Sequence, residues 1–244
     1  MRILIVARRV VQQLRHDKRF LGFTIVVPLI IAYFLKLFFD TLPPVVSREA
    51  FVIPFTSYIV YFLTFILSAL LLVQERTQGT LNRMLINGLR RTDIIVGYVV
   101  GYLGLAIIQA AFVLLEVLLL FKLDYSFSVI LAMGAGLFVL AVVSVLLGIF
   151  LSTFARREAQ VIPFIPIVVV IPAFLSGLLA DPSLLPRWAE WIGKIFPIHY
   201  GINLAKSAIA PGLDSGGVWP NLGYLTIYAV VLVIIGPLTF RERE

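Results

Sequence analysis

Cysteine is absent from the chain, which excludes disulfides, thiol chemistry and cysteine-based metal sites. Histidine is scarce: His16 and His199 lie far apart with no companion cluster, so a histidine metal site within one chain has no basis. Charge is also thin. Only 14% of residues are Asp, Glu, Lys or Arg, where soluble domains carry about 25%. No strand-like alternation, soluble domain, low-complexity tract or convincing internal repeat is found, so inverted-repeat transporter architectures have little support. What fills the chain is apolar: 61% of 244 residues are hydrophobic and mean hydropathy is +1.03. The apolar residues gather into runs long enough to cross roughly 30 Å of hydrocarbon as helices. The sequence therefore reads as an integral, all-α membrane protein.

The net charge of +7 invites a nucleic-acid reading, but its distribution argues against one. Segments 1–20, 74–93, 155–160 and 241–244 hold 14 of the 20 Lys and Arg. The remainder are Lys36, Arg48, Lys122, Arg187, Lys194 and Lys206. That asymmetry follows the positive-inside rule and predicts that both termini are cytoplasmic, in the plasma membrane, with no nucleic acid as partner.

Residues 1–20 place Ile3, Ala7, Val10 and Leu14 on one stripe and Arg8, Gln12, Arg15 and His16 opposite. This predicts an amphipathic helix in the membrane interface, its basic face toward anionic headgroups. Arg8, Arg9, Arg15, Lys18 and Arg19 delay the apolar run and no small-x-small cleavage site follows, so it is read as retained and not as a signal peptide. Six spans are predicted at 21–39, 52–73, 94–121, 129–154, 161–180 and 220–240, all within one transmembrane domain covering 1–244. Pro163 is placed in the first turn of the fifth span, and Pro166 and Pro172 should kink it. Gly97 and Gly101, with Gly104 nearby, are spaced to admit a neighbouring helix.

Segment 181–219 is too patterned for a plain loop. Leu184, Leu185, Trp188, Trp191, Ile192, Ile195 and Phe196 form a Trp-rich face, with Arg187, Glu190 and Lys194 opposite. It predicts a helix at the outer interface or dipping back into the membrane. Pro197 ends it, a second helix runs over 198–209, and Pro211-Gly212 stops that one.

The polar insert 74–93 (QERTQGTLNRMLINGLRRTD) separates two long apolar runs. Thr77 is a suitable N-cap, Leu81, Met84 and Leu85 form an i, i+3, i+4 patch, and Asn87-Gly88 is a stop signal. The result is a short helix over 77–87, framed by Arg76, Arg83, Arg90 and Arg91. So short a helix is marginal in water and needs a partner surface. Glu75, at the junction with the membrane, is expected to pair with a nearby arginine.

Here the sequence resembles the ABC-2 family, the membrane subunits of ATP-binding-cassette exporters. Glu75-Arg76, Gly79-Thr80-Leu81, Arg91 and Gly97 match its "ER…GTL…R…G" pattern, and Asn87-Gly88-Leu89 stands where the family often has a proline. Ser176-Gly177-Leu178, Pro186, Trp188, Phe196-Pro197 and Tyr200 match a second pattern, "SG…P.W…P..Y". The resemblance implies a half-transporter pairing with a second copy or close paralogue. Each copy docks residues 77–87 into a groove on a separate ATPase, two per complex, through Glu75, Arg76, Thr80, Leu81, Met84, Leu85 and Arg91. ATP and magnesium then belong to the ATPase, and this chain binds no cofactor. The chain is consistent with that division, because no G-x-x-x-x-G-K-[ST] occurs in it. A membrane-embedded enzyme would need paired reactive groups at one depth, and a stand-alone channel or secondary transporter leaves the docking helix without a use.

Two groups are candidates for a substrate path. Phe51, Phe55, Tyr58, Phe62 and Phe65 form one helical stripe on the second span, either the aromatic wall of a cavity for a lipophilic or cationic molecule or ordinary packing. The resemblance favours the wall, since the second and fifth spans line the dimer interface in that family. On the third span Gln109 and Glu116 share a face with Tyr98 and Tyr102. Glu116 either binds a cation, a basic substrate or a proton, or reaches headgroup water or pairs with Lys36 or Lys122. His199 is open between a pH switch and a hydrogen-bonded interfacial residue. The cargo remains open among drug, antibiotic, lipid, polysaccharide and ion.

Overall fold

The computed structural model describes residues 2–41, 43, 48–179, 181–210 and 214–239; side chains at 19–21, 81, 82, 91, 95, 215 and 237–239 lie outside that description. The Pro211-Gly212 stop signal and the basic residues 241–244 are likewise outside it. Every described element is helical: α1 (Arg2–His16), α2 (Lys18–Asp40), α3 (Arg48–Thr77), α4 (Thr80–Ile86), α5 (Arg91–Phe121), α6 (Phe127–Ser152), α7 (Ile171–Leu175), α8 (Arg187–Ile195), α9 (Pro197–Ile209) and α10 (Ser215–Thr239). Of these, α2, α3, α5, α6 and α10 are long and apolar enough to cross a membrane.

At 1.5 Å per residue the thirty residues of α3 reach about 45 Å, well past the roughly 30 Å hydrocarbon layer. Its last turns therefore project beyond the apolar layer and carry Glu75 and Arg76. Helix α3 is also the centre of the bundle, with 78% of its most apolar window buried, against 22% for α2 and 11% for α10. One continuous core joins α1 to α10. The far end of α10 returns to the α4 end, where Leu232, Val233 and Gly236 line a narrow cleft with Val96, Val99, Leu146 and Ile149.

Two expectations are corrected. The fifth span is not one helix over 161–180. Val161–Pro163 form a turn, Pro166–Val170 a π-helical turn, and α7 adds five residues before the chain leaves helix at Ser176. Three prolines in ten residues deny the backbone the regular i→i−4 ladder. Irregular backbone in a membrane protein needs protein partners for its carbonyls. The Tyr61 hydroxyl donates to Val168 O at 3.0 Å and Tyr58 to Val169 O at 3.4 Å, both from α3.

The second correction concerns α1. Val6, Ala7, Val10 and Leu14 are buried in protein, not lipid. A Cβ built on Gly97 would lie 2.5 Å from Val6 Cβ, and one on Gly101 2.6 Å from Val10 Cβ, so the two glycines of α5 form the groove in which α1 lies. Arg8, Gln12, Arg15 and His16 face outward as the periodicity predicts, together with Leu4 and Ile5.

The outer segment divides in two. Helix α8 seats its small face, Ala189 and Gly193, against the end of α7 and leaves Trp188, Trp191 and Ile195 exposed. Helix α9 is buried along Ile198, Ile202 and Ala205, packed among α3, α6 and α10. It enters the bundle and does not lie flat on it.

Candidate functional site

The α3–α4 corner is built by backbone conformation. Gly79 (φ +69) turns the chain out of α3, and Gly88 (φ +80) ends α4, left-handed values that side-chain-bearing residues seldom adopt. Leu89 N donates to Met84 O at 3.2 Å and Gly88 N to Leu85 O at 3.0 Å, the paired bonds of a Schellman stop. Asn87-Gly88 thus terminates the helix as its residue types predict. Thr77 does not cap it. It is the last residue of α3, its hydroxyl donates back to Gln74 O at 2.9 Å, and Gly79 occupies the N-cap. The helix is Thr80–Ile86, shorter than the predicted 77–87.

The residues expected at a docking surface point in different directions. Glu75 is only 2% exposed and receives Arg9 Nη2 of α1 at 3.1 Å. The same guanidinium reaches Met84 Sδ at 3.5 Å, and Met84 is 8% exposed. Arg2 Nη1 donates to Gly88 O at 3.2 Å. Arg76 Nη1 lies 3.4, 3.3 and 3.0 Å from the carbonyls of Ser152, Thr153 and Ala155, a positive charge on the carbonyl end of α6. Glu75 and Met84 are therefore inward-facing, and Arg76 is a helix cap. They hold the corner to α1 and α6. The predicted pairing of Glu75 with an arginine is present, but its partner comes from α1, 66 residues upstream.

The outward group is different. Ile86 is 84% exposed, flanked by exposed Arg83 and Asn87, with Thr80 and Leu85 partly covered. Sequence reasoning passed over Ile86 because it lies off the Leu81–Met84–Leu85 stripe. Its signal was an isoleucine one residue before a helix stop in an otherwise polar insert. The side chains of Leu81 and Arg91 are outside the described residues.

The aromatic stripe of α3 is split. Phe65 is fully buried in the core, Phe55, Tyr58 and Phe62 are half-buried, and Phe51 is at the exposed end. Tyr58 and Phe62 stack with centroids 6.4 Å apart. On α5, Gln109 and Glu116 are both buried, and among the described residues neither the amide nor the carboxyl makes a hydrogen bond. Pairing of Glu116 with Lys36 is not found: Lys36 lies 3.6 Å from Asp40, one turn on.

At the opposite end Lys206 Nζ donates to Gly177 O at 2.8 Å, joining α9 to the turn after α7. Burial, opposed by Asp181, lowers the Lys206 pKa. Burial also holds His199 below the usual imidazole range, with Lys194 adding to the shift and Glu190 opposing it. His199 Nε2 is 3.0 Å from Asn203 Nδ2. The observation favours a hydrogen-bonded structural residue that is neutral at pH 7.

A family model for the ABC-2 type transporter matches residues 1–209. The chain belongs to the ABC-2 family. Among curated relatives it is similar to ABC transporter G family member 20 of Dictyostelium discoideum, 26% identical over 177 residues, covering 70% of this chain and 24% of that protein. Linearmycin resistance permease protein LnrN of Bacillus subtilis is 23% identical over 170 residues, 70% of this chain and 44% of the relative. The probable multidrug ABC transporter permease YbhR of Escherichia coli is 24% identical over 179 residues, 73% and 48%. The chain thus spans less than half the length of each of these relatives. The family is one of ABC transporter membrane domains, and two of these relatives carry the name permease. In this ABC-2 chain the corner at α4 is tied to α1 and α6 and presents Ile86 outward.

Proposed function

We propose that this chain is the transmembrane subunit of an ABC exporter, forming the path for a lipophilic or amphipathic substrate by alternating access driven by a separate ATPase. Two copies, or one copy and a close paralogue, pair, and each receives one ATPase subunit. The α4 end and both termini face the cytoplasm. One observation carries the reading: Ile86 projects from a corner whose other contacts tie it to α1 and α6. A displacement of α4 is then passed to the bundle as rigid-body motion. Relatives named for antibiotic and multidrug functions support a lipophilic cargo.

Ile86→Asp is the direct test, because an 84% exposed side chain can be changed without disturbing the core. The expected result is loss of ATPase co-purification from native membranes by about tenfold or more, the scale of a central interface contact. Undiminished co-purification with full stimulation would remove α4 as the docking element.

The substrate path is proposed along Phe55, Tyr58, Phe62, Gln109 and Glu116, with Phe65 behind it. Glu116→Gln should raise the melting temperature, since an ionisable group without a partner is unfavourable in the membrane interior, and should lower transport. Unchanged transport from pH 6 to 8 would take Glu116 out of the path.

A further inference from the structure

Proline has no N–H, so a proline in a helix leaves the carbonyl four residues before it without its donor. In the broken fifth span Pro172 does this to Val168 O. The turn does not make good the loss itself, since Pro166–Val170 is wound as a π turn and Ile171 N donates to Pro166 O. Val168 is buried, and an unpaired carbonyl is costly away from water. The donor comes from α3. Tyr61 is fully buried, and its hydroxyl lies 3.0 Å from Val168 O. Phenylalanine would fill the same space in an apolar core; the hydroxyl is what the proline requires.

The bond joins two parts of the molecule. On one side, Tyr61 shares a single unbroken helix with Glu75 and Arg76 at the α4 corner. On the other, Val168 leads into α7, whose Leu175 carbonyl lies against Gly193 of α8. Among the described residues, glycines bring α6 against α3 and α1 against α5, but none brings the broken span against α3. Its polar hold on α3 is through tyrosine hydroxyls, the short bond of Tyr61 and the longer one from Tyr58 to Val169 O at 3.4 Å.

We propose that Tyr61 is a positioning residue for transport: its hydroxyl supplies the hydrogen bond that Pro172 withholds from Val168, and so makes the broken span and α8 follow α3. The proposal rests on the exporter reading above and adds to it the tie through which motion at the α4 corner reaches the far end of the bundle.

The test is a cycle of Tyr61→Phe, Pro172→Ala and the double variant. Each full chain is melted in detergent, then reconstituted in liposomes with the ATPase subunit for ATP-dependent export of the lipophilic dye rhodamine 6G. Alanine at 172 restores an N–H four residues beyond Val168, so the fold no longer needs the hydroxyl. Tyr61→Phe alone should lower the melting temperature by about 4 °C, the effect of a buried carbonyl left unpaired. In the Pro172→Ala background the same change should cost under about 1 °C. Transport should part from melting. Tyr61→Phe and the double variant should both export about tenfold more slowly than wild type with the ATPase still bound, while Pro172→Ala alone keeps most of its rate, because a carbonyl accepts two bonds. An equal melting loss in both backgrounds would mean that the hydroxyl does not stand in for the N–H missing at Pro172. Transport that recovers together with melting in the double variant would reduce Tyr61 to a repair of the helix. Equal loss of transport in Pro172→Ala and the double variant would assign the effect to the kink, and would overturn the tie. Wild-type protein that exports no dye would overturn the exporter reading and the transport role with it. The melting cycle needs no transport, so the two failures are separable.

Discussion

Arg9→Ala is expected to lower the melting temperature of the solubilised protein by roughly 4–8 °C, from about 2 kcal/mol lost in a chain of this size. Removing one partner of a fully buried ion pair costs about 3–5 kcal/mol, because the other charge is left without compensation. Arg9 is 39% exposed while Glu75 is 2% exposed, so water entering the vacated space recovers part of that cost. The diagnostic step is the double variant. Arg9→Leu with Glu75→Leu removes both charges, so it should be more stable than Arg9→Ala. Arg9→Lys should fall between, since an ammonium keeps the charge but not the reach to both the carboxylate and Met84 Sδ. In the complex the same series should separate ATPase activity from its stimulation by substrate, because α1 is one of the elements that brace the corner between α3 and α4. If Arg9→Ala melts with the wild type and the double variant gains nothing, the pair is not a brace.

That brace marks the boundary of what the residues alone could disclose. The α4 stop was legible because Asn87-Gly88 encodes it locally, and so were the spanning runs of α2, α3, α5, α6 and α10. The outward basic face of α1 followed from its 3.6-residue period. What its apolar stripe packs against did not, because lipid and the Gly97–Gly101 groove are equally apolar partners. The same degeneracy hid the role of Met84: an i, i+3, i+4 patch says that one face is covered, not by what. Arg76 and Glu75 were legible as part of the family-like pattern, whereas their partners, Ser152–Ala155 and Arg9, are distant in sequence. The fifth span was misread for another reason. Hydropathy over 161–180 measures solubility in the membrane, whereas three closely spaced prolines decide whether a continuous helix can form there. The family-like Glu75-Arg76 pair was thus visible as a pattern before its work was visible as geometry.

Gly148→Ala is expected to be the most damaging single-methyl change among the glycines of α6. A Cβ at this position of α6 would stand 2.7 Å from Phe65 O and 3.1 Å from Ala69 N, backbone atoms of α3, and would strike Ser68 Oγ. Backbone within a buried helix cannot step aside as a side chain can, so α3 and α6 must separate along their contact. Inserting a methyl into a close-packed interface costs about 1–3 kcal/mol, and a backbone obstacle puts this site at the upper end. Two companion substitutions set the scale. Gly136→Ala would meet the terminal carbons of Leu204, whose rotamer can change, so a smaller loss is expected. Gly134→Ala would place its Cβ 3.6 Å from Leu114 Cδ2, an ordinary contact, and should be neutral or slightly stabilising, as alanine is favoured over glycine in a helix interior. Thermal melts of the three variants in one detergent should therefore rank 148 below 136 below 134. Because Ser68 and Phe65 lie on the same helix as Glu75, a displaced α3 also moves the corner on which α4 is mounted, so Gly148→Ala should weaken ATPase coupling in protein that still folds. Equal melting of all three variants would mean that α3 and α6 are not in backbone contact, and the central position assigned to α3 would fail with it.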